Sequence, residues 1–71
     1  MTENEALEIA KRVATERGWP WREPVSVTKK RRWFRFSGWI VYSNAGFRGG
    51  NVRIEIDIAT GEVIRAAYLP R

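Results

Sequence analysis

The sequence predicts an α+β domain in which one N-terminal helix packs on an antiparallel meander of three to four strands. Three observations carry that expectation. Apolar residues recur at helical spacing near the N-terminus, strict strand alternation runs through Val52, Ile54, Ile56 and Ile58, and Ala59-Thr60-Gly61 supplies a turn before a second apolar run. Seventy-one residues supply one core, so the chain, 1–71, is read as a single small domain. A domain near this size buries about 60% of its unfolded surface, and typical per-residue stabilities place it at roughly 4 to 10 kcal/mol. Most of its large apolar side chains must therefore be structural.

Taken in order, Thr2-Glu3-Asn4-Glu5 reads as a capping box, in which the Thr2 hydroxyl accepts from the Glu5 amide while the Glu5 side chain reaches back. A helix over about 3–17 should start there. Ala6, Ile9, Ala10 and Val13 fall on one helical face, with Leu7 and Ala14 widening the stripe, and Gly18 stops the helix. Trp19-Pro20-Trp21-Arg22-Glu23-Pro24 cannot continue it, because each proline lacks a donor and pushes the preceding residue toward extended geometry. Exposed tryptophan is costly in so short a chain, so Trp19 and Trp21 are expected to plug the core.

Val25-Ser26-Val27-Thr28 alternates like a strand and leads through Lys29-Lys30-Arg31-Arg32 into Trp33-Phe34-Arg35-Phe36. Two readings compete for the turn that ends this strand. In one, Ser37-Gly38 is a two-residue hairpin loop between strands over about 25–36 and 39–43; in the other, the basic run turns and Gly38 is a bulge. Ser-Gly flanked by apolar runs is the better turn signal and favours the first. The glycines of 43–51 lack the order and the adjoining helix of a phosphate cradle, so this stretch is a tight loop with positive-φ positions. Strands over about 51–58 and 63–69 close the chain.

The catalytic inventory is poor. The chain has no histidine and no cysteine, which removes the usual general base, the commonest metal ligand and any disulfide framework. Glu55 and Asp57 share a strand face, but Arg53 lies beside them and Arg65 is placed to cross from the last strand, so paired charges on a wet surface are the default. The protein is therefore read as no enzyme, with no catalytic, cofactor-binding or metal residues.

Binding is the better prospect. Thirteen Lys and Arg against eight Asp and Glu give a net charge of +5, a balance suited to nucleic acid, anionic surfaces or acidic proteins. Lys29, Lys30, Arg31, Arg32 and Arg35 interleave with Trp33 and Trp39, and a sheet covered by one helix leaves its other face free to present such residues. The expected partner is a protein or a second copy of the chain, with nucleic acid as the alternative. No apolar run approaches membrane-spanning length and the first residues are acidic, so a cytoplasmic protein is expected.

The run Val52-x-Ile54-x-Ile56-Asp57-x-x-Thr60-Gly61-Glu62-Val63 resembles the closing hairpin of PepSY-type domains, and Ala6 to Lys11 is similar to their helix. Trp39-Ile40-Val41 with Gly49-Gly50 is similar to immunity proteins of the nuclear-transport-factor-like fold. Both resemblances imply a helix laid on an antiparallel sheet in the cystatin manner and a non-enzymatic module of inhibitory or regulatory type. Neither implies a particular binding residue.

Overall fold

The helix begins where local chemistry can satisfy its free amides. In the computed structural model, which describes residues 2–31 and 37–70 and gives Lys30, Arg31 and Ser37 as strand positions only, α1 spans Glu3–Glu16. The Glu5 amide donates to the Thr2 hydroxyl at 3.2 Å and the Thr2 amide donates to Glu5 Oε1 at 3.1 Å, so the capping box closes in both directions. At the other end Gly18 sits at φ 71°, its amide donates to Thr15 O at 3.2 Å, and the Trp19 amide reaches Ala14 O at 2.8 Å. That is the paired Schellman closure that a residue without Cβ allows. Ala6, Ala10 and Ala14 are completely buried along one side of α1. Small side chains there let the helix axis approach the sheet closely, while Leu7, Ile9 and Val13 pack as half-buried flanks.

The cap makes a pH-dependent contribution. Hydrogen bonds from the Thr2 amide and hydroxyl hold the Glu5 carboxyl below its ordinary value of 4.5. A group whose pKa is lower in the folded state stabilises fully above the ordinary value and loses that contribution as pH falls through the folded one. The thermal midpoint of Glu5→Gln should therefore lie below that of the parent near neutral pH, with the gap closing below about pH 4.5. A gap that stayed constant in a pH series of melting curves would remove the charge from this account.

Four strands complete the chain: β1 Ser26–Arg31, β2 Ser37–Tyr42, β3 Asn51–Asp57 and β4 Val63–Leu69. They form one antiparallel sheet in the order β1-β2-β3-β4, so the protein is an α+β domain with a helix on a four-stranded meander. The register corrects the expected turn. Lys30 pairs with Gly38 and Arg31 with Ser37, so Ser37 and Gly38 are strand residues and neither a hairpin loop nor a bulge. Gly38 also pairs with Asp57 on its other side. A residue held by ladders on both edges overrides its own turn preference, which is why Ser-Gly chemistry misled. The strand expected through 32–36 falls outside the described residues.

The β3–β4 turn obeys its sequence closely. Asp57 Oδ1 accepts from the amides of Ala59 at 2.7 Å and Thr60 at 3.2 Å, Gly61 takes φ 74°, and Thr60 Oγ1 accepts from Glu62 at 3.1 Å. A register shift between Glu55 and Ile56 leaves Ile64 as the extra residue on β4.

The core lies between α1 and one sheet face. Trp39 and Val41 of β2 and Val52, Ile54 and Ile56 of β3 are buried against the helix alanines. Trp19 and Trp21 pack half-buried against this cluster, as a plug should. Trp19 stacks on Tyr68 with ring centroids 6.1 Å apart, and the Arg17 guanidinium lies 5.2 Å from the Trp19 ring.

Candidate interaction surface

Alternation sorts the sheet into two faces. Val27, Lys29, Trp39, Val41, Val52, Ile54, Ile56, Ala66 and Tyr68 are in register on the helix side. Ser26, Thr28, Ile40, Tyr42, Arg53, Glu55, Arg65, Ala67 and Leu69 occupy the other. Among the described residues no helix or strand lies over this second face.

The residues singled out from sequence do not gather into one patch. Lys29 is exposed on β1, and its Nζ lies 5.6 Å from the centre of the Trp39 ring. Lys30 and Arg31 are the last positions of that strand. Arg32, Trp33 and Arg35 lie outside the described residues. Trp39 is corrected outright: at 7% exposure it is a core residue under the helix, with Lys29 over its ring and Ile56 across from it. Its period-two spacing from Val41 tied it to an apolar partner, but spacing leaves open which face the helix covers.

The open face is more apolar than the basic run suggests. Ile40, Tyr42 and Ala67 are half-buried there, Leu69 is 46% exposed, and Arg53 lies between Tyr42 and Ala67 in the cross-strand register, with Arg65 beside Ala67 on β4. The signal is present in sequence, since Ile40 and Tyr42 have the opposite parity to Trp39. Glu55 is a second correction. Expected on a wet surface, it is 1% exposed, on an inner strand with Ile40 and Arg65 as its cross-strand neighbours. Asp57 has one carboxylate oxygen engaged by the turn amides.

A second surface feature is the 43–51 loop. It is a built element, with Asn44 at φ 52° and Gly46, Gly49 and Gly50 all at positive φ, as the glycine content predicts. Backbone bonds from Asn44 N to Arg22 O at 2.7 Å and from Ala45 N to Pro24 O at 2.8 Å tie it to the connector. Asn51 is buried beneath it and Phe47 stands 60% exposed upon it.

These features define a domain of one helix on a four-stranded antiparallel sheet, with an amphipathic second face over which no helix or strand lies among the described residues. No protein-family model matches the chain, and no curated protein or solved structure does either.

Proposed function

We propose that the protein is a small non-catalytic module that binds another protein through the open face of its sheet. The observation that supports this reading is a sheet face that carries the apolar residues Ile40 and Tyr42 on β2 and Ala67 and Leu69 on β4 and has no helix or strand over it among the described residues. Arg53 and Arg65 among those positions, on a chain of net charge +5, favour a partner whose contact surface mixes apolar and acidic side chains. The resemblance of the closing hairpin to PepSY-type domains gives this binding an inhibitory or regulatory sense.

Nucleic acid is the second reading, favoured by the consecutive Lys29, Lys30 and Arg31 on an outer strand. One pair of experiments separates the two. A photo-crosslinking residue at position 42 should capture a protein that the same residue at Lys11, on the exposed side of α1, does not, and Arg53→Gln should weaken the capture. Oligonucleotide binding monitored by tryptophan fluorescence should stay weak at near-physiological salt. Saturable binding whose log affinity falls with log salt at a slope near −3 to −4, the mark of about four neutralised phosphates, would replace the protein reading with the nucleic-acid one.

A further inference from the structure

The two outer strands of the sheet, β1 and β4, present different edges to solvent. β1 ends in Lys29, Lys30 and Arg31, the kind of cationic run that keeps an edge from pairing with its like. β4 lacks that protection. Its sequence, Val-Ile-Arg-Ala-Ala-Tyr-Leu, carries the single charge of Arg65, and Ile64 and Leu69 are 44% and 46% exposed. As the last strand, β4 turns half of its backbone N–H and C=O groups away from β3. The bulge at Ile64 disturbs only its beginning, and Arg65 to Leu69 pairs regularly with β3.

We propose that β4 pairs antiparallel with β4 of a second copy, joining two four-stranded sheets into one. The occupant is set by the pattern of charge. In an antiparallel ladder, facing residues must have the same parity, so one residue of a symmetric pair meets its own copy. Centred on the regular stretch, that residue is Ala67. Arg65 then faces Leu69 of the second copy and Ala66 faces Tyr68 on the helix side. The cation never opposes itself, its aliphatic stem lies along an otherwise exposed leucine, and the small Ala66 and Ala67 occupy the middle of the seam. β1 paired with β1 would hold Lys29, Lys30 and Arg31 of both copies within one short ladder, and β4 paired with β1 would leave an edge of each kind open for further addition. Only β4 with β4 leaves both remaining edges cationic. The two-fold axis stands perpendicular to the sheet, so both helices lie on one side and the two open faces run together on the other.

This pairing is independent of what binds the open face, and a single introduced thiol tests it, because the chain contains no cysteine. Facing Cα atoms in an antiparallel pair lie about 4.5–5.5 Å apart, within the range a disulfide spans. Ala67→Cys should oxidise in air to a covalent dimer much faster than Thr28→Cys, an exposed position on β1. In sedimentation equilibrium the parent should dimerise, and Ala67→Lys, which sets two ammonium groups across the axis, should weaken the dimer at least about tenfold. Reduced Ala67→Cys, a minimal change in size, should retain the parent's association and so guards against a lysine variant that fails to fold. A parent that stays monomeric up to its solubility limit, or equal crosslinking rates at positions 28 and 67, would overturn the pairing while leaving the open-face reading untouched.

Discussion

Replacing Trp39 by alanine is expected to lower folding stability by about 3–5 kcal/mol, the usual cost of removing a buried tryptophan. In a domain of roughly 4 to 10 kcal/mol that loss leaves much of the protein unfolded. The side chain is 7% exposed, sits in the cluster with Ala6, Ala10, Ala14, Val41 and Ile56, and carries the Lys29 ammonium over its ring. Its Nε1 is buried with no acceptor among the described residues. An unsatisfied buried donor is a cost that the indole alone carries. Trp39→Phe sheds that donor as alanine does but keeps most of the apolar volume, and should therefore lose clearly less stability than Trp39→Ala. Urea unfolding monitored by far-UV circular dichroism, which does not depend on the mutated fluorophore, measures both. An alanine variant with an unchanged midpoint would return Trp39 to the surface patch that its sequence neighbourhood suggested.

Asn51→Ala is expected to cost about 2–4 kcal/mol and to loosen the 43–51 loop before anything else. The Asn51 amide nitrogen donates to Ser43 O at 3.0 Å and Asn44 O at 2.9 Å, with Phe47 O at 3.3 Å sharing the same two protons. Asn51 is 1% exposed, and Ser43 and Asn44 are buried with it, so water has little access to replace the amide. Asn51→Asp is the sharper variant, because it keeps the shape but aims a carboxylate oxygen at carbonyl oxygens in a buried site. Hydrogen exchange should show faster exchange at Asn44 and Phe47 in both variants, while the amides of α1 keep their protection in the folded population. If Asn51→Asp were as stable as the parent, the three carbonyl contacts would not be what holds the loop.

Both predictions concern positions whose roles were hidden in the sequence for the same reason. Asn51 reads as the polar end of a glycine-rich loop, since nothing in the chain announces that its amide folds back four to eight residues to close it. Trp39 reads as one more aromatic in a basic run. Alternation shows that Trp39 and Val41 share a face and that Ile40 and Tyr42 share the other, but the covered face is chosen by where α1 lands. Of the candidate surface, Lys29 was legible as an exposed strand cation, whereas Ile40, Tyr42, Ala67 and Leu69 became a candidate only once the helix was seen on the opposite side.

What the sequence determined by itself is what depends on groups a few residues apart. The capping box of Thr2 and Glu5, the Gly18 stop, the Asp57-to-Glu62 turn and the alternation of β3 each result from hydrogen bonds or side-chain direction within about one turn of chain. The single helix and the antiparallel meander arise from those local pieces and the short connections between them. The tertiary structure decided the rest. Gly38 became a strand residue because Lys30 and Asp57 both pair with it, and Glu55 is buried on a strand whose partners on both sides come from other parts of the chain. Those outcomes depend on neighbours distant in sequence, and a local pattern does not contain them.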